Sequence, residues 1–143
     1  MKLVPFKSEH IQVIDTQDAQ LADDAYTDWN SKEYSDWLAK SGIAITGLVD
    51  DEVVFCAGKV EIWPGRHLLW ASLSKKAAQH MVSITKAARR GLECAAGGRL
   101  EAIVRADFKG GGRWLEMLGF KYHHYEEKFL PDGSDAKIYV RFS

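Results

Sequence analysis

Residues 43–98 read IAITGLVDDEVVFCAGKVEIWPGRHLLWASLSKKAAQHMVSITKAARRGLECAAGG, and the order of elements in this stretch decides the fold. Three runs of strand character, 43–49, 53–63 and 67–73, are separated by Asp50-Asp51-Glu52 and by Pro64-Gly65-Arg66. Connections this short favour antiparallel neighbours, because a parallel pair needs a long crossover. An antiparallel meander is therefore expected. Ser74 then stands at a helix N-cap position, ahead of Ala77, Met81, Ile84, Ala88, Leu92 and Ala95, which recur at three- and four-residue steps. Gly97-Gly98 supplies the stop.

Working outward toward the C-terminus, 99–105 contains Leu100, Ala102, Ile103 and Val104 and reads as a buried strand. The helical crossover before it predicts a parallel partnership with the last strand of the meander. Gly110-Gly111-Gly112 and Arg113 open a short helix, Trp114–Leu118, closed by Gly119, the glycine run itself reading as a flexible connector rather than a phosphate cradle, and 120–129 and 137–142 read as two strands around Pro131-Asp132-Gly133. Toward the N-terminus, a short strand near 2–6 is followed by a helical turn over 9–14 and a polar stretch, 15–24. Tyr26, Trp29, Trp37 and Leu38 fall on roughly one face of a further helix that stops at Gly42, and that face is expected to pack on the sheet or to border an acceptor pocket. The predicted order is β-α-α-β-β-β-α-β-α-β-β. It is an α+β (mixed α/β) fold with a mostly antiparallel sheet flanked by helices.

The chain has 143 residues, the length of one ordinary domain, and it shows no repeat, linker or low-complexity tract, so a single domain over 1–143 is expected. A 46% hydrophobic and 27% charged composition is that of a folded globular chain. The formal net charge of -1 offers no general attraction to nucleic acid or an anionic membrane. Nucleic acid is thus an unlikely partner. Lys86, Arg89 and Arg90 share a helix face opposite Ile84, Ala88 and Leu92 and read as a solvated charge face. Cys56 and Cys94 lack the spacing of a zinc site or redox pair and read as small buried side chains. No signal peptide or apolar span is evident, and a cytoplasmic setting, with no membrane partner, is the expectation.

The element order, and the segment Arg113-Trp114-Leu115-Glu116-Met117-Leu118-Gly119-Phe120, resemble the GCN5-related N-acetyltransferases, whose short helix ends in Gly-Phe. The form R-W-L-x-x-L-G-F looks most like the acetyltransferase-like proteins of tailed phages, including internal virion proteins. Trp70-Ala71-Ser72-Leu73-Ser74-Lys75 and the aromatic strand ending in Asp132-Gly133 extend the resemblance over roughly 43–142. It implies acetyl-CoA as co-substrate, no metal, and an amine acceptor or a protein partner. A phage origin would place the protein in the host cytoplasm or the virion.

The family's cofactor site is the turn between the fourth strand and the long helix, which here is Ser72, Leu73, Ser74, Lys75, Lys76 and Ala77. A helix start can hold a pyrophosphate through its N–H groups and positive dipole end, with lysines adding charge. The family's glycine-bearing phosphate loop is absent. Amine acylation also needs a base for the attacking amine and an acid for the departing thiolate. Glu61 is the candidate base. Where active relatives carry a tyrosine on the short helix, this chain has Leu115, which cannot donate a proton. Substitute donors are Tyr122, His124 and Tyr125, with strand alternation pairing either Tyr122 with His124 or His123 with Tyr125 toward the cleft. Two functions follow: an acyl-CoA-dependent N-acyltransferase, or a non-catalytic virion or host-interaction protein that retains the fold.

Overall fold

The computed structural model describes residues 1–16, 32–94 and 97–142. The strands are β1 (Lys2–Pro5), β2 (Ala44–Val49), β3 (Glu52–Trp63), β4 (Arg66–Leu73), β5 (Arg99–Arg105), β6 (Lys121–Glu126) and β7 (Ala136–Phe142). The helices are α1 (Ser8–Val13), α2 (Lys32–Lys40), α3 (Met81–Cys94, entered through a 3-10 turn at Ala77–His80) and α4 (Lys109–Met117). One seven-stranded sheet runs β1-β2-β3-β4-β5-β7-β6. Every neighbouring pair is antiparallel except β4 with β5, so the predicted order and the parallel crossover through α3 are both observed.

Local chemistry explains the turns. Asp50 and Asp51 both take positive φ, 51° and 62°, giving the two-residue hairpin whose twist matches that of the flanking strands. At the end of α4, Gly119 (φ 91°) lets the Phe120 and Gly119 N–H groups donate back to Leu115 and Glu116 at 3.0 Å each, a Schellman closure. Among the described residues two helices cover one face of the sheet: Ile11 of α1 and Leu38 of α2 pack on Phe6, Cys56, Val60 and Trp70. On the other face α3 lays Ile84 and Ala87 on Val54, Phe55 and Leu73, and Leu92 joins Leu115 and Leu118 of α4 against Ala102 and Tyr139. Among the described residues no helix is long and apolar enough to cross a membrane.

Three expectations require correction. Ser74 does not cap α3; its hydroxyl accepts the Lys76 N–H at 3.1 Å and caps the turn that precedes the 3-10 segment. The Gly110–Gly112 run is not a connector but the first turn of α4. Glycine is a poor helix former, yet a Cβ on Gly111 would stand 2.7 Å from a Val104 methyl and one on Gly112 2.5 Å from the Tyr139 hydroxyl. Close helix-on-sheet packing outweighs propensity there. Finally, α2 buries Ser35 and Leu38, while Trp37 is half exposed, because adjacent helical residues diverge by about 100°. Tyr26 and Trp29 lie outside the described residues, as do Ala95 and most of 15–24.

Candidate functional site

The parallel pairing of β4 with β5 covers only Arg66↔Arg99, His67↔Leu100 and Leu68↔Glu101. Beyond those positions each strand stays with its own half of the sheet: β4 pairs with β3 up to Leu73, and β5 pairs with β7 up to Arg105. The sheet therefore splits like a V. A cleft of about 260 Å³ opens between the arms, walled by Leu69, Ala71 and Leu73 from β4 and by Ala102, Ile103 and Val104 from β5. Ala78 and Met81, from the start of the long helical segment, stand on one side. From the other, α4 contributes Gly110, Gly111, Trp114 and Leu115. The Trp114 indole N–H donates to the Thr85 hydroxyl at 3.0 Å, which ties α4 to α3 across the cleft roof.

The vertex of the V is held by charge. Glu101 accepts two bonds from Arg66, at 2.8 and 3.0 Å, and one from Arg99 at 2.7 Å. The Arg66 guanidinium, assisted by Arg99, holds its carboxyl well below the ordinary range, at about 2.

Of the predicted cofactor residues, Leu73 lines the cleft, and Ser72, Ser74 and Ala77 are buried beside it. Ser74 bridges to Thr16 and donates its N–H to the Val54 carbonyl at 2.9 Å. Both lysines are exposed but engaged. Lys75 gives its N–H to the Asp15 carbonyl at 2.9 Å and places its ammonium 3.6 Å from the Asp15 carboxylate, while Lys76 reaches Glu52 at 2.7 Å. The bond to Glu52 raises the Lys76 pKa above its ordinary value.

The structure does not gather the four candidate proton carriers. Glu61 is exposed and sits opposite His67, two positions before the cleft begins at Leu69. A bulge between Tyr122 and His124 shifts the β6 register, so neither pairing expected from strict alternation holds. Instead Tyr122 and Tyr125 face the α4 side. Tyr122 meets Tyr139 edge-on with centroids 5.9 Å apart, and Tyr125 donates to Asp135 at 2.5 Å, a bond that raises its pKa. His124 faces the opposite side. It lies 3.0 Å from Glu126, shares a 2.6 Å contact with the His123 ring nitrogen, and borders a groove of about 300 Å³ that also includes Arg66, Arg99 and Glu101.

Leu115, at the position where the resemblance places a tyrosine, is buried and lines the cleft. Lys86, Arg89 and Arg90 are exposed, and Arg89 donates twice to the Met117 carbonyl, capping α4. Cleft residues that sequence reasoning did not assign to the site include Leu69, Ala78, Met81, Ala102, Val104, Gly110, Gly111 and Trp114. Three consecutive glycines ahead of Trp114 were a legible sign of close backbone approach. Ala78 and Met81 carried no signal beyond helical period.

An apolar slot that ends at a helical start suits a slender neutral chain whose anionic head stays outside. No protein-family model matches the sequence, and no curated protein does. Solved structures do match. Aminoglycoside 6'-acetyltransferase type Ii is similar over 99% of this chain and 97% of its own, with TM-score 0.72 at 12% identity. The ribosomal-protein-S18-alanine N-acetyltransferase from Escherichia coli is similar over 99% and 92%, also with TM-score 0.72 at 12% identity. A GNAT-family acetyltransferase from Bacillus anthracis gives 99%, 95%, 0.71 and 12%. At these identities the likeness is one of fold, and the fold is that of the GNAT acetyltransferases.

Proposed function

We propose that this chain is an acyl-CoA-dependent N-acyltransferase that moves an acyl group of the acetyl class from a CoA thioester to an amine. The parting of β4 from β5 carries the reading, because it leaves a narrow apolar slot beside a helical start. Such a slot fits a pantetheine arm, while Lys75, Lys76 and the turn from Ser72 to Ala77 attend the phosphates. Acetyl-CoA supplies an activated carbonyl as its thioester. The chain's part is to hold the arm straight between Leu69, Ala71 and Val104, to exclude water with Trp114 and Leu115, and to carry protons. Glu61, opposite His67 and short of the cleft, is the proposed base for the attacking amine, with His124 an alternative only for an amine that approaches from the other face of the sheet. With Leu115 unable to protonate the leaving thiolate, that role falls to Tyr122, Tyr125 or solvent.

A second reading is favoured by Leu115 and by the carboxylates that occupy Lys75 and Lys76: a non-catalytic virion or host-interaction protein built on the same fold. Kinship with tailed-phage proteins rests on R-W-L-x-x-L-G-F and belongs to this proposal. Thermal unfolding with and without 2 mM acetyl-CoA separates the readings, since a ligand selective for the folded state raises its stability. The enzyme reading predicts a clear rise in Tm that Gly110→Leu, which crowds the slot, removes. An unchanged Tm in the folded wild type favours the second reading.

A further inference from the structure

The groove on the His124 side of the sheet backs onto the cleft. Side chains alternate across a strand, so Leu68 and Glu101 face the groove where their neighbours Leu69 and Ala102 face the cleft, and Ile103 borders both. This is the level at which β4 and β5 stop pairing. The groove is also polarised. Leu68, Ile103 and Ile138 give it an apolar centre, His124 and Glu126 stand on the β6 side, and Arg66 and Arg99 stand at the vertex end. There two guanidiniums share the single carboxylate of Glu101, which leaves one positive charge uncompensated. The bonds to Glu101 use Nε and Nη2 of Arg66 but only Nε of Arg99. Among the described residues both terminal nitrogens of Arg99 are left without a hydrogen-bond partner. Each guanidinium is flanked by an aromatic ring, Arg66 at 4.5 Å from the Trp63 centroid and Arg99 at 5.9 Å from that of Phe142.

We infer that the acceptor is a small amine with an anionic group, a carboxylate or a phosphate, at its far end, and that Arg99 and Arg66 seat this group in the groove. The inference rests on the acyl-transfer reading above and adds the acceptor class to it. A planar guanidinium with two unused nitrogens matches a carboxylate or phosphate bidentately, and the uncompensated charge favours an anion there. The two guanidiniums meet at Glu101, while Ile103, which borders both cavities, lies two residues further along β5, a rise of about 7 Å. An amine about five bonds from its anion spans that distance with its methylenes on Leu68, Ile103 and Ile138. A volume of about 300 Å³ suits a small molecule. An ammonium approaching from this side gives one proton to His124, which passes it to solvent. Its nitrogen then bonds to the thioester carbonyl carbon, the C–S bond breaks, and a second N–H proton ends on the departing thiolate, so the products are an amide and free CoA.

The test is calorimetric titration of the intact protein, with saturating CoA present, by 5-aminopentanoate, 3-aminopropyl phosphate and pentylamine, which are similar in length and differ at the far end. Release of CoA from acetyl-CoA is followed in parallel with each amine. At least one of the two anionic amines is expected to bind about tenfold tighter than pentylamine, the worth of one hydrogen bond to a charged group, and the tighter of the two identifies the anion. Arg99→Gln leaves both bonds from Arg66 to Glu101 in place, and in it that ratio should fall to about one. Arg99→Lys keeps the charge without the fork and should restore part of the preference. Equal affinities for the three amines, absence of binding by all three, or a preference that persists in Arg99→Gln overturns the inference and leaves the acyl-transfer reading standing. Anion-selective binding with no CoA released from acetyl-CoA overturns that reading and the acceptor role together.

Discussion

Glu101→Gln removes the charge that holds the vertex of the V while keeping the side chain's size. The wild-type carboxylate takes three bonds from Arg66 and Arg99 and is only 13% exposed. Its pKa, about 2 against an ordinary 4.5, bounds the differential stabilisation of the charged form near ~3 kcal/mol. The two guanidiniums are 31% and 32% exposed, and solvent screening reduces the expectation to about 2 kcal/mol. The sign follows from the depressed folded pKa. This stability is fully present above the unfolded value and is lost as pH falls from about 4.5 toward about 2. Urea unfolding at pH 7 should therefore show Glu101→Gln with a midpoint lower by about 1 M and an unchanged slope. Repeated at pH 3, the gap between the two proteins should narrow. Equal midpoints at pH 7, or a gap that stays constant down to pH 3, would refute the claim that the triad clamps β4 to β5.

Other perturbations probe the surrounding packing. Gly112→Ala should lower stability by about 1–2 kcal/mol despite alanine's better helix propensity, and Tyr139→Phe in the same chain should restore part of it, because the hydroxyl is the nearest atom. Burial pushes the Cys56 thiol up to about 12, so in a Cys94→Ala background it should react with an aromatic disulfide at pH 8 at least a hundredfold more slowly folded than in urea. Arg89→Ala should cost about 1 kcal/mol, read as a Tm lower by about 3 °C, through loss of the cap on the Met117 carbonyl.

Much of the architecture was legible because it rests on local chemistry. The Asp50-Asp51 hairpin, the period of Ile84, Ala88 and Leu92, and Gly119 after Leu118 each declare their element within a few residues. Features set by distant neighbours were not legible. Whether Gly110–Gly112 begins a helix depends on Val104 and Tyr139, and the register at His123 depends on β7 rather than on anything in β6 itself. The candidate site suffered most. Its walls come from strands that stop pairing after Leu68 and Glu101, a divergence no periodicity reports, so the sequence drew attention to titratable residues while the cleft is built from alanine, glycine and leucine. The turn from Ser72 to Ala77 lies beside it, but Asp15 and Glu52, which engage the two lysines, come from elsewhere in the chain.

The central claim is that a CoA thioester lies between β4 and β5. Amide hydrogen exchange with and without saturating acetyl-CoA tests it most directly, since it reports location as well as binding. Exchange should slow at 69–73, at 102–104 and across Ala78–Met81 and Gly110–Gly111. Unchanged exchange in those segments, or slowing confined to the His124 side of the sheet, would contradict it.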